Sequence, residues 1–344
     1  GPPVTLYHPV FAKLKDQLNN NTSTAVPNRE ELRLTHDLFN TTSRLFASEH
    51  ERMEQMVPLM EVLLGVKIVN KSRNRRSRSS GNSVTLVDLG DVSAVTAIMA
   101  WDSELGIGCE AGLQALGLTY KKHVTQKLYE PIRSMSSCPC ILFVFAGAHF
   151  CVFGAMITDI VVVQPFTEYI LLGGTPDKTE RVVHIARTFH ALREALATLE
   201  NEYRGLSFSD TVKAAARLFP NPTFLDSNQA PPNTGSLEYY SRISGNCRQP
   251  IFCAELNGNR TVIVKFSRSY NVDAHRLLAN AGLAPTLHFS AQVRGYHMIV
   301  MDYLAKRDAY EVSKSTPLHL GVRQSVEKAI MLLHENGFVF GDLR

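Results

Sequence analysis

Three groups of residues have the types and spacing to do chemistry. The first is a lysine and an aspartate. Lys265 sits in TVIVKF (261–266), where β-branched residues alternate around it as in a strand, and Asp342 closes the run LLHENGFVFGD (332–342). The second is a set of carboxylates, Asp88, Asp91, Asp102 and Glu104, with Gln114 and Lys121 or Lys122 downstream. Carboxylates are the hard oxygen ligands that Mg²⁺ demands, and a lysine beside them can orient or activate water. The third is a basic run, NKSRNRRSRSSGNS (70–83), where Lys71, Arg73, Arg75, Arg76 and Arg78 occur with no acid among them. It reads either as a solvated loop or as a nuclear-targeting or phosphate-backbone patch.

The elements around the first pair come in a definite order. VDAHRLLANAGLAP (272–285) has helical apolar spacing at Val272, Leu277, Leu278 and Ala281, with Gly282 and Pro285 as a stop signal. YHMIVMDYL (296–304) reads as a buried strand running into a hinge, Met301 to Leu304. VRQSVEKAIMLLHENGF (322–338) is an amphipathic helix with the stripe Val322, Val326, Ile330 and Leu333. Lysine, helix, hinge, helix and aspartate in that order resemble a protein kinase. The resemblance implies ATP and Mg²⁺ as cofactors. It implies Lys265 on phosphate, Met301, Asp302 and Leu304 along the adenine, and Asp342 as the base that takes the hydroxyl proton.

The departures are as specific as the match. ISGNCRQPIFCAEL (243–256) stands where a glycine-rich loop is expected, and it has only Gly245. No glutamate lies between Glu255 and Glu311, so Asp273 or His275 would have to partner the lysine. Phe340-Gly341 precede the aspartate, where His-Arg or His-Gly is usual. Only Leu343 and Arg344 follow it, ahead of any Asn or Asp-Phe-Gly metal ligand, so the chain given is not expected to transfer phosphate by that route.

Upstream, residues 1–70 read as helices. Asn28 with Glu31 three residues on matches a capping box. SVTLVDLGD (83–91) and VTAIMAWDSELG (95–106) are strand-like, and EAGLQALGLTYKKHVTQKLYEPI (110–132) is helical. The apolar stretch 141–157 is expected as two buried strands joined near Ala148, with His149 a core or turn residue, not a membrane helix. A long helix (180–206) and a Pro/Asn/Ser-rich linker (220–236) follow.

SELGIGCEAGLQALGLTYKKH (103–123), SMSSCPCILFVFAG (134–147), VFGAMITDIVVVQPFTEYI (152–170), AHRLLANAGLAP (274–285) and GFVFGDLR (337–344) together resemble fungal proteins that join a restriction-endonuclease-like domain to a fungal-type protein kinase. Such fusions occur among Crinkler-type effectors and, more distantly, spore-killer proteins. The resemblance implies a Glu-X-Lys on the strand before Glu-Leu-Gly. Here those positions hold Ala100 and Asp102, so an acid is lost and the lysine has become an acid. A degenerate nuclease fold is the expectation, with a migrated site as the alternative.

The expected fold is α/β and α+β, multidomain. A helical segment (1–70) and the basic linker (71–83) precede a restriction-endonuclease-like domain (84–219). After the linker (220–236) comes a kinase-like N-lobe with a partial C-lobe (237–344). The expected function is that of a kinase-like phosphotransferase in longer relatives. The alternatives are an effector-like module binding nucleic acid or protein on a dead nuclease fold, and an active Mg²⁺ nuclease. Composition is ordinary for a globular protein: 344 residues, 44% apolar, 20% charged and a net charge of +4, too small to argue nucleic-acid binding alone. Six cysteines in irregular spacing make no disulfide framework, and Cys138-Pro139-Cys140 has no second pair to complete a zinc site. No secretory signal is visible, and Gly1-Pro2 resembles a protease-cleavage scar. A cytosolic or nuclear location and a homodimer through the 322–338 stripe are expected.

Overall fold

Apolar runs stay uninterrupted when a strand is covered on both faces. That is the situation in the first half of the chain. The computed structural model describes residues 3–19, 26–70, 82–102, 109–173, 178–206, 216–221, 235–243, 250–304 and 320–341. Contacts divide the chain into two compact units, Pro3–Asn221 and Pro222–Arg344. The boundary falls within the Pro/Asn/Ser-rich stretch.

The first unit holds a seven-stranded sheet. Its strands are β1 (Val69–Asn70), β2 (Asn82–Asp88), β3 (Ser93–Asp102), β4 (Cys140–Ala146), β5 (His149–Ile157), β6 (Val161–Pro165) and β7 (Ile170–Leu171). They lie in the order β1-β2-β3-β4-β5-β6, with β7 also on β5. Every pairing is antiparallel except β3 with β4, which is parallel. A parallel pair needs a crossover, and α5 (Cys109–Val124) and α6 (Glu130–Met135) lie in it. The stretch 141–157 is two strands, with Gly147 at positive φ in the turn.

One face carries an aromatic row. Trp101, Phe145 and Phe150 are in register across β3, β4 and β5. Trp101 stacks on Phe145 at 4.4 Å, Phe145 on Phe150 at 5.9 Å, and Phe150 on Phe189 at 5.6 Å. Phe189 belongs to α7 (Lys178–Arg204), which packs with α2 (Pro9–Asn19), α3 (Arg29–Thr42) and α4 (Glu49–Leu64), and the short α1 (Val4–Tyr7) packs on α2. On the other face Leu116, Tyr120 and Val124 of α5 close over Val84, Ile98, Ala100, Leu142 and Val144.

This corrects the reading of residues 1–70 as a segment apart. Their helices are built into the first unit because their apolar stripes have α7 to bury against, and β1 at their end pairs with β2. The capping box at Asn28 forms as expected, with Glu31 N–H donating to Asn28 Oδ1 and Asn28 N–H to Glu31 Oε2, both at 2.9 Å. Among the described residues no helix is long and apolar enough to cross a membrane.

The second unit is built on five antiparallel strands, β8 (Leu237–Arg242), β9 (Ile251–Leu256), β10 (Arg260–Ser267), β11 (Leu287–Val293) and β12 (Tyr296–Asp302). Their order is β11-β12-β10-β9-β8. The helix α8 (Val272–Asn280) lies in sequence between the third and fourth strands, and α9 (Leu320–Glu335) follows the fifth. Arg294-Gly295, both at positive φ, make the two-residue turn that joins β11 to β12.

Candidate functional site

Strand alternation decides which way the candidate lysine faces. On β10 the residues Val262, Val264 and Phe266 are buried, with Phe266 edge-on to Phe252. Ile263 and Lys265 lie on the opposite face and are half-buried. β10 is flanked by β9 and β12, which place Ile251 and Ile299 beside Lys265 and Met301 beside Ile263. The lysine is therefore central in its sheet, with apolar neighbours in register on both sides.

Its charge meets an aromatic ring. Lys265 Nζ sits 5.6 Å from the centroid of Tyr270. Tyr270 and His275 Nδ1 share a short hydrogen bond, and His275 Nε2 lies 2.8 Å from the Pro285 carbonyl. A carbonyl only accepts, so Nε2 carries the proton. In the neutral ring Nδ1 then accepts from the Tyr270 hydroxyl. Burial pushes the Tyr270 phenol up, which keeps it a donor at neutral pH. Asn271 caps α8 by accepting from Ala274 N–H, fixing the turn from which Tyr270 projects. Of the two expected stand-ins for an acid, Asp273 is exposed and lies 4.0 Å from Arg276, while buried His275 reaches the lysine only through Tyr270.

The hinge residues divide. Met301 lines a cavity of about 360 Å³ together with Tyr270, His275, Leu278, Leu333 and Phe340. Met301 and the run before Asp342 thus meet at one hollow, and Lys265 is linked to it through Tyr270, which lines the cavity and faces the ammonium. Asp302 faces elsewhere. Its Oδ1 lies 2.6 Å from His288 Nε2, and that bond holds its carboxyl below the usual range. Leu304 is exposed. Gly245 and Asp342 lie outside the described residues.

Asp88 and Asp91 are not brought together with Asp102. Asp102 ends β3, while Asp88 pairs with Ser93 at its start. That is about 30 Å of strand at ~3.3 Å per residue, and Asp91 lies in the turn between Asp88 and Ser93. Of the proposed metal set Asp88, Asp91, Asp102 and Glu104, the hairpin therefore separates Asp88 and Asp91 from Asp102, so neither upstream acid can share a metal with it. The migrated lysine fails in the same way. α5 returns along the sheet, so that Tyr120 donates to the Cys138 carbonyl just before β4. Lys121 and Lys122 lie beside it, exposed, at the end away from Asp102. Ala100, where the acid is missing, is buried in β3 and in register with Asn82 on β2. Glu104 and the basic run with Arg73, Arg75, Arg76 and Arg78 lie outside the described residues, as does the side chain of Gln114 on α5. Among the described residues no three His, Cys, Asp or Glu side chains form a group able to hold a metal.

Sequence reasoning missed Tyr270 and His288. The signal for Tyr270 was a phenol directly before a helix cap, five residues ahead of His275. His288 carried no local signal, since its partner is on the neighbouring strand. Comparison with protein-family models, with curated proteins and with solved structures gives no match for the chain.

Proposed function

We propose that the second unit is a protein-kinase-like, ATP-binding module of a kinase–nuclease-like fusion. The observation that carries the reading is Lys265 at the centre of the third of five antiparallel strands, with a helix between the third and fourth. Protein kinases carry their phosphate-binding lysine on the third strand, ahead of such a helix. The cavity lined by Tyr270, Met301 and Phe340 supports the reading, since Tyr270 also faces Lys265. Nucleotide fits these residues, because Lys265 is half-buried and its charge faces a ring, with no carboxylate in ion-pair range among the described residues. ATP would supply the phosphoryl group; Lys265 would hold its charge and Met301 would bound the base. Among the described residues no three His, Cys, Asp or Glu side chains cluster to hold Mg²⁺.

The test is nucleotide binding by titration calorimetry. Lys265→Met should weaken it about 10- to 100-fold, the ~1.5–3 kcal/mol of a charged hydrogen bond. Absence of binding by the unaltered chain would refute the reading.

For the first unit we propose a nuclease-like scaffold that binds nucleic acid without cutting it. The strand order β1-β2-β3, crossover and parallel β4 supports the scaffold, and the dispersed carboxylates argue against cleavage. A specific observation favours nucleic acid. The basic run leaves β1 after Asn70 and enters β2 at Asn82, which pairs with Ala100. It therefore joins the sheet at the end that carries Ala100 and Asp102. Binding to duplex DNA should fall steeply with salt through counterion release. Changing Arg73, Arg75, Arg76 and Arg78 to Gln should flatten the slope by roughly 3–4 units, at about 0.9 per phosphate contact. An unchanged slope would remove the run from the interface. A cytosolic or nuclear location, and self-association through α9, belong to the same proposal.

A further inference from the structure

The lysine of the second unit has an unusual companion. Lys265 Nζ faces the Tyr270 ring at 5.6 Å, and the ring is held from behind. His275 is buried at the first turn of α8 and uses both ring nitrogens, one for Tyr270 and one for the Pro285 carbonyl. Pro285 lies just before β11, so His275 ties the helix to the next strand, and Tyr270 carries that tie to the lysine. A tyrosine so held loses little freedom when a cation docks on its face, because its hydroxyl already fixes the ring. Among the described residues no carboxylate pairs with the ammonium, and the ring contact leaves its N–H donors free for an anion.

We propose that Tyr270, oriented by His275, is the positioning residue for Lys265, holding its ammonium where an anionic phosphate can take it. The inference rests on the nucleotide reading and deepens it. It assigns to an aromatic face the task that an acid on the following helix performs in protein kinases. The chemistry differs in a measurable way. An ion pair competes with phosphate for the lysine, whereas a ring face steers it and does not neutralise it.

The experiment uses the full chain with its lysines reductively ¹³C-methylated, and the Lys265 resonance assigned by its absence from Lys265→Arg. In the unaltered chain ring current should shift that resonance upfield, and Tyr270→Leu should abolish the shift. Tyr270→Phe keeps the ring but removes the hydroxyl, so the shift should shrink without vanishing. Binding of Mg-free ATP, measured on the unmethylated protein, should weaken about 2- to 5-fold in Tyr270→Leu, the ~0.5–1 kcal/mol of a half-exposed cation–π contact. It should weaken less in Tyr270→Phe. Because Tyr270 also lines the cavity, Tyr270→Leu should weaken ATP less in a Lys265→Met background than in the unaltered chain, and the difference is the part that acts through the lysine. A Lys265 resonance at its ordinary position overturns the proposal. So does ATP affinity that depends on Lys265 but not on Tyr270. No ATP binding with the ring shift intact overturns the nucleotide reading and, with it, the role of Tyr270, while leaving the contact itself established.

Discussion

Glu31 shows how one residue can serve two levels of structure. Its carboxylate closes the capping box on Asn28 and also accepts from Arg193 Nη1 at 3.0 Å and faces His190 Nδ1 at 3.1 Å. Arg193 in turn donates to the Leu63 and Val62 carbonyls at the end of α4. Three helices thus meet at one buried acid, 4% exposed. Burial alone would raise its pKa, but the Asn28 amide, His190 and Arg193 outweigh burial and hold it below the usual carboxylate range. A glutamate in the unfolded chain titrates near about 4.3. A folded value below that means the stabilisation is complete above this pH and is lost as pH falls through the folded value. Glu31→Gln should therefore destabilise the first unit by about 1–3 kcal/mol at pH 7, with the gap to the unaltered chain closing as pH drops below about 4. Urea unfolding at a series of pH values reads this directly. A gap that stays constant with pH would show that packing, not charge, makes Glu31 matter. The cap was legible in the sequence because its partner is three residues away. The ion pair was not, because Arg193 is 162 residues on.

At the scale of elements, periodicity made strands and helices readable, and it failed where the question was which end of an element a residue occupies. Asp88, Asp91 and Asp102 are close in sequence, yet the β2–β3 hairpin sends them to opposite ends. Strand length, not spacing, decides that, and residue pattern fixes length poorly. The entry to β4 shows the same limit. Cys138 has a positive φ of 51°, which a non-glycine residue adopts only where its surroundings hold it there. Tyr120 donates to its carbonyl at 2.7 Å, Tyr203 donates to the Pro139 carbonyl at 2.9 Å, and Tyr129 accepts from Val95 N–H at 2.8 Å. Three tyrosines scattered over the sequence thus build one corner. Tyr120→Phe leaves a buried carbonyl without that donor and should cost about 1–3 kcal/mol, read by denaturant unfolding. The same burial pushes the Cys138 thiol up to about 12. The native chain should leave Cys138 unalkylated by iodoacetamide at pH 8 while the denatured chain reacts. Labelling of Cys138 in the folded state would show that the corner opens.

The whole molecule leaves one apolar surface without an assigned partner among the described residues. α9 buries Leu333 and half-buries Ile330, both toward its C-terminal end. Val322 and Val326 continue the same stripe toward the N-terminus, three turns and two turns away, and are 38% and 39% exposed. Leu320 and Met331 add exposed apolar surface to other sides of the helix, and Val339 and Phe340 add more beyond it. Single exposed apolar residues are ordinary, but a contiguous set on one element marks an interface. A two-fold axis across the helix would cover Val322 and Val326 twice from one surface, the economy that makes such dimers common. The salt-bridged Arg323 and Glu327, 3.0 Å apart, flank the stripe and would form its polar rim. Static light scattering over a concentration series should show mass rising from one chain toward two. Val326→Lys should return it to one chain at every concentration, since a charge at the centre of an apolar contact loses its water without gaining a partner. Met331→Lys, on the opposite side of the helix, should leave the association intact. A mass of one chain throughout, with Val326 still exposed to solvent, would refute the dimer and leave the stripe as bare surface.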